Sequence, residues 1–135
     1  MGPIGQPTEF VGWWEFVFYT RGGQPQDVEG AIEHINSDGR FEAYRNGVPI
    51  AAGRHVDFQT DPPGFTNVQE DLHMFGVRGR ELVIYRLAGE MLEVCKAPEC
   101  DGRPERFGSP EGTSIVHAAI RRIAETDPRI PIGCG

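Results

Sequence analysis

The stretch "EFVGWWEFVFY", Glu9 to Tyr19, decides the fold. Along a β-strand, neighbouring side chains point to opposite faces. One row is then Phe10, Gly12, Trp14, Phe16 and Phe18; the other is Val11, Trp13, Glu15, Val17 and Tyr19. Both rows are heavily apolar, so the strand needs cover on both sides. A glycine stands directly ahead of the two indoles.

Outward from this strand, turn signals recur at short intervals: "RGGQP" (21–25), "SDGR" (37–40), "RNGV" (45–48), "TDPPG" (60–64), "VRGR" (77–80), "LAGE" (87–90), "DGRP" (101–104) and "SPEG" (109–112). Asn-Gly and Asp-Gly supply the positive φ that tight hairpins require. Between them lie segments rich in β-branched and aromatic residues. These predict strands near 10–20, 31–37, 40–46, 48–59, 67–76, 81–87, 91–97 and 114–123, with a weaker strand in "RPERF" (103–107). Eight sequential strands with hairpin links predict an all-β, eight-stranded antiparallel up-and-down barrel, whose closure removes exposed edges. Two segments also read as helix. "EGTSIVHAAIRRIAETD" (111–127) has roughly helical apolar spacing and cap candidates in Thr113 and Ser114; "QDVEGAIEHI" (26–35) shows a milder form of the pattern, interrupted by Gly30.

Composition agrees with a β-rich single domain. The 135 residues suffice for one core. Gly 18 and Pro 11 favour many turns over a helical bundle. The formal charge of −7 and scattered basic residues argue against a nucleic-acid partner. No run approaches the ~20 apolar residues of a membrane span. "MGPIGQPTEF" lacks a basic start and an apolar core, so a cytoplasmic location is expected unless a leader has been trimmed. The cysteines are Cys95, Cys100 and Cys134; their number and the C-x4-C spacing do not match a zinc pattern, and free thiols are expected, with Cys95–Cys100 and Cys100–Cys134 bridges as the alternatives.

The chain resembles lipocalin-like barrels. Gly12-Trp13-Trp14 fits the G-x-W element that begins their first strand, with "INSDGRFEAYRNG", "LVIYRLAGEMLEVCKA", "GRPERFGSPEG" and the basic pair after "IVHAAI" following in order. The ordered set is similar to a bacterial family of small lipocalin-like domains, abundant in planctomycetes and found in actinomycetes, whose function is largely unassigned. The resemblance covers residues 8–123, which leaves an arm, 1–7, and a tail, 124–135. The "IVHAAIRR" segment is less β-branched than is usual in the family, and the tail is extra. The resemblance implies that 114–123 is a strand. It also implies that Trp14 packs across the closed end of the barrel under a cation from the last strand, Arg121 or Arg122, with Gly12 leaving room. One face of the first strand then fills the barrel, and the other is covered by the arm, by the tail (Ile130, Ile132) or by a partner subunit, a homodimer being an option.

Residues that could carry chemistry are sparse. The four histidines, His34, His55, His73 and His117, fall on different strands with no H-x-H or H-x3-H pair, so no metal site and no cofactor is expected. His73 and His117 with Glu70 are the catalytic candidates, should they converge inside the barrel; for each histidine a surface or hydrogen-bonded role is the simpler reading. Glu70-Asp71 and the Glu9, Glu15 pair read as solvated acids as readily as acid–base groups. Cys95 beside Lys96 reads as a buried, inert thiol. Phe16, Phe18, Tyr44 and Tyr85 are the ligand-binding candidates, the two phenols serving only if they point inward.

Three functions follow as expectations. The first is a barrel that binds a small apolar or amphipathic molecule. The second is a cofactor-independent cyclase or isomerase of a natural-product pathway, working by orientation of the ligand it holds. The third is a filled barrel acting as an interaction module through a patch of Trp13 and Tyr19.

Overall fold

The computed structural model describes residues 5–70 and 79–131. In chain order it contains a 3-10 turn, Thr8–Phe10, the strands β1 (Gly12–Arg21), β2 (Gln24–Pro25), β3 (Ala31–Ile35), β4 (Arg40–Arg45), β5 (Val48–Thr60), β6 (Pro63–Glu70), β7 (Gly79–Ala88) and β8 (Met91–Pro98), a second 3-10 turn, Glu99–Asp101, and β9 (Val116–Arg122). All pairings are antiparallel between neighbours, and β1 also pairs with β9. Eight strands thus close an up-and-down barrel of the lipocalin-like kind, and the dipeptide β2 is appended to β1.

Most strands end at the expected turns, but β6 begins at Pro63, inside the expected turn 60–64 and ahead of the expected strand 67–76, because its ladder with β5 and β7 extends through Pro63–Phe65. β7 likewise takes in Gly79 and Arg80 of the expected turn 77–80. Asn46-Gly47, both at positive φ, make the two-residue turn between β4 and β5. Residues 114–123 settle the helix–strand ambiguity as β9, because a strand there has two partners to bond, β1 and β8, and a helix would leave both edges open. Residues 31–35 are likewise strand. The "RPERF" segment is not a strand. It belongs to a strap, residues 99–115, laid over the outer face: one Arg103 guanidinium nitrogen donates to the carbonyls of Phe65 (2.9 Å) and Val83 (2.7 Å), and the Cys95 thiol donates to the Gly108 carbonyl.

Inside, the end where β1 begins is packed shut. Phe10, Trp14, Ile35, Phe41, Phe65, Val83, Leu92 and Ile120 form one buried cluster, with Phe16, Phe58, Tyr85, Leu87 and Val94 against it. Phe10 is a plug: its ring meets Phe58, Phe65 and Tyr85 edge-on at 4.9–5.8 Å between centroids. Register then fixes which side chains face inward. Trp14 is opposite Glu33, Glu33 opposite Ala43, Phe41 opposite Gly53, His55 opposite Asn67, Asn67 opposite Glu81, and Val83 opposite Lys96.

A bulge in β1 changes the expected alternation. Phe16 pairs with Ile120 but Phe18 pairs with Ala119, so Val17 is an extra residue. Beyond it the rows exchange faces. Phe18, expected inside, points out and meets the ring of His117 edge-on at 4.9 Å; Tyr19, expected outside, points in. On the outer face of β1 the tail reaches Glu15, which Arg129 holds at 3.0 Å, while Val11 and Val17 of that row stay exposed; Ile132, one of the expected covers, lies outside the described residues.

Candidate functional site

At the closed end, Trp14 is fully buried and donates its indole N–H to the Phe10 carbonyl at 3.0 Å. The Arg122 guanidinium lies 4.3 Å from the centre of its ring. The same guanidinium donates to the Val11 carbonyl at 2.9 Å and to the Glu9 carbonyl, which ties the 3-10 turn to the last strand. Gly12, at φ +137°, leaves the passage open: a Cβ there would stand 2.6 Å from an Arg122 nitrogen. Arg121, the other candidate, points outward and pairs with Glu15, because successive residues of β9 face opposite ways. Burial pushes the Glu15 carboxyl up, but Arg121 and Arg129 outweigh it and hold the carboxyl below its usual value.

The remaining candidates separate. Phe16 and Tyr85 point inward but belong to the packing of the closed half. Tyr44 points outward, opposite Ile32 and away from the inward row of Ala43; there it hydrogen-bonds Glu42 and lies near Trp13. His117 is also outside, where its Nε2 meets Glu93. His73 and the side chain of Glu70 lie outside the described residues. His117 therefore faces away from the barrel interior in which the three were expected to converge.

The other half of the barrel holds a feature the sequence reading missed. The inward rows there are polar: Tyr19 from β1, Glu33 from β3, Arg45 from β4, Asn67 and Gln69 from β6, Glu81 from β7 and Lys96 from β8. Lys96 Nζ is 3.5 Å from Glu81 Oε1, and 5.3 Å from the centre of the Tyr19 ring. Asn67 Nδ2 donates to the same Glu81 oxygen at 3.0 Å. The Lys96 and Glu81 side chains nonetheless keep 13% and 17% of their surface exposed, so solvent reaches them inside the barrel. Among the described residues, the buried polar atoms without a partner are Asn67 Oδ1 and Arg45 Nε. A buried polar atom left unbonded costs about 1–3 kcal/mol, which is why such atoms mark a place for water or a ligand.

The charges divide by environment. Burial would neutralise Lys96, but Glu81, Tyr19 and Glu33 outweigh it and keep the ammonium charged. Burial likewise works against Glu81, and Lys96, Gln69 and Asn67 hold its carboxyl below the usual value. Glu33 has no such support. Burial pushes its carboxyl up to about 7, and the distant Lys96 charge only partly opposes this. His55, enclosed by Phe10, Phe41 and Phe65, is pushed down to about 3 by burial and by Lys96, so its ring is neutral. Its Nδ1 meets Gln6 Oε1 at 3.2 Å.

The signal for this site lies in the parity rows. Lys96 continues the row Leu92, Val94; Glu33 lies between Ala31 and Ile35; Asn67 and Gln69 follow Phe65; and Glu81 precedes Val83, Tyr85 and Leu87. A charge in an otherwise core-facing row is what the pattern offers to be read. Two recesses outside the barrel, about 410 and 390 Å³, lie along the strap and are lined, Ala97 apart, by its own residues. Among the described residues no group of three or more His, Cys, Asp or Glu could hold a metal ion, and no helix is long and apolar enough to cross a membrane. Cys95 is a buried free thiol, raised above its usual pKa by burial, and Cys100 is an exposed one. No protein-family model, curated protein or solved structure matches this chain.

Proposed function

We propose that this protein binds a small amphipathic molecule in the barrel, against the polar inner wall of Lys96, Glu81 and Asn67. The observation that carries the reading is this polar inner wall, reached by solvent and holding, among the described residues, two buried polar atoms without partners. The ligand presents an acceptor to Lys96 and Arg45 and a donor to Asn67 Oδ1, and lays its apolar part on the aromatic packing that closes the barrel. The expected ligand is thus more polar than the aromatic composition of β1 suggests. Net affinity comes from the surplus of apolar burial and paired polar groups over the cost of association.

The test uses 8-anilinonaphthalene-1-sulfonate, which carries an anionic group, an N–H donor and an aromatic body. It should bind the native protein with stoichiometry near one and raise its melting temperature. Lys96→Met should weaken binding about tenfold or more, the equivalent of ~1.4 kcal/mol. Absence of binding by the native protein would remove this reading and favour the interaction module, for which Trp13 is outward but Tyr19 is not.

A further inference from the structure

Glu33 is the inward acid that the barrel leaves uncommitted. It stands on β3 opposite Trp14 of β1 and Ala43 of β4, half-buried, and makes no hydrogen bond or ion pair with any described residue. Glu81, the other inward acid of this half, is fully engaged by Lys96, Asn67 and Gln69. In the closed ring of strands, β7 with Glu81 lies directly across from β3, and the Lys96 ammonium stands beside it. A molecule held between these walls has an unengaged carboxyl on one side and a fixed cation on the other.

That arrangement suits proton transfer at carbon. A half-buried carboxylate without partners is a stronger base than a fully solvated one, and a cation positioned where charge develops stabilises an oxyanion. Keeping an unpaired acid in the barrel also costs stability, and more once it is ionised than an amide of the same shape would cost. We propose that Glu33 is a catalytic proton carrier, acting on a carbonyl compound held in the barrel, with Lys96 facing the carbonyl oxygen. This rests on the binding reading above. The substrate class is a small β,γ-unsaturated ketone with an apolar body. The carboxylate takes the proton on the carbon between the carbonyl and the double bond. The electron pair of that C–H bond forms a new C=C bond, and the carbonyl π pair moves to the oxygen beside Lys96. When the dienolate collapses, its terminal carbon takes the proton back from Glu33, and the product is the conjugated enone. Protons and electrons balance within the substrate and Glu33, and no co-reactant enters.

The charged and titratable groups facing this space are Tyr19 and Arg21 of β1, Arg45 of β4, His55 of β5, Glu81 of β7 and Lys96 of β8. Arg122 of β9 is committed to Trp14, and His55 is neutral. A rate that rises with pH near neutrality therefore reports Glu33.

The experiment follows cyclohex-3-enone in the presence of the full chain, by the ultraviolet absorbance of the conjugated product and by deuterium uptake in D2O. The native protein should accelerate both, with a rising pH limb. Glu33→Gln should lose about 10²–10⁴ of the rate while still binding 8-anilinonaphthalene-1-sulfonate and melting as a single transition. Glu33→Asp, which retracts the same carboxyl, should keep part of the rate. A native rate at background, or full activity in Glu33→Gln, overturns the proton-carrier role and leaves the binding site intact if the dye still binds. If the native protein binds no dye and shows no rate, both readings fall.

Discussion

At the scale of single residues, three positions concentrate the energetics. Trp14 is wholly buried, is hydrogen-bonded to Phe10 and lies beneath Arg122, so Trp14→Ala should cost about 3–5 kcal/mol in chemical denaturation; a loss below about 1 kcal/mol would contradict its place in the core. Gly12→Ala should destabilise by more than the small surface-glycine effect of about 1 kcal/mol. Its φ disfavours any side chain, and the new Cβ meets Arg122. Glu33 predicts a pH dependence with a definite sign. Its folded pKa, about 7, lies above the ordinary 4.5, so the folded state holds more protons between those values. Stability from this group is present below about pH 4.5 and is lost as pH rises through about 7. Glu33→Gln should therefore flatten the profile between pH 5 and 8 and be the more stable protein at pH 8, by an amount on the order of 2 kcal/mol. Equal stability of the two proteins at pH 8 would show that solvent, and not burial, governs this carboxyl.

At the scale of elements, the β1 bulge and the strap decide what faces where. The bulge at Val17 carries Tyr19 into the polar half beside Lys96 and sends Phe18 out to His117, so one unpaired residue sorts two aromatics. The strap has no ladder of its own. It is held to the barrel by Arg103, whose guanidinium bonds two carbonyls, one on β6 and one on β7, by the Cys95–Gly108 contact, by the Gly22 and Gly23 amides, which donate to the Ile115 carbonyl and to Ser109 Oγ, and by the Arg80–Glu99 ion pair. Arg103→Ala should cost about 1.5–3 kcal/mol, the usual worth of a hydrogen bond to a charged group. In a Cys100→Ser background it should also speed thiol labelling of Cys95, which the strap otherwise covers. One guanidinium nitrogen makes both bonds, so Arg103→Lys should restore part of the lost stability to the extent that the shorter, strongly hydrated ammonium reaches the same two carbonyls. Labelling of Cys95 at an unchanged rate would show that the Gly22, Gly23 and Arg80 attachments hold the strap without Arg103.

For the whole molecule, closure makes the two ends of the chain one structural unit. The turn at Thr8–Phe10 supplies the plug, β1 and β9 form the seam, and Arg122 clamps the turn from the last residue of β9. No part of the ring can open without exposing the aromatic packing. Unfolding should therefore be all-or-none, with calorimetric and van't Hoff enthalpies equal. Phe10→Ala should lower stability by about 3–5 kcal/mol although it lies outside every strand, and it should do so without splitting the transition. Two resolved transitions in that variant would mean that the plugged end and the polar half fold separately.

Local chemistry wrote the element list into the sequence. Asn-Gly and Asp-Gly turns, β-branched and aromatic runs between them and the G-x-W entry are properties of neighbouring residues, so strands, sequential pairing and the barrel were legible, as was a cation over Trp14. Whether Arg121 or Arg122 is that cation depends on strand parity at β9, which only its pairing with β1 reveals. The same holds for residues 114–123, where helical and strand patterns compete and two waiting strand edges decide. The inner wall was the least legible. Parity within a strand says that Lys96 shares a row with Leu92 and Val94, but it takes the cross-strand register to bring Lys96 to Glu81, to show Glu33 left alone on the opposite wall, and to reveal a bulge that turns Tyr19 inward. Side-chain direction is a local property until an extra residue resets it, and charge pairing across a barrel is a property of its closure.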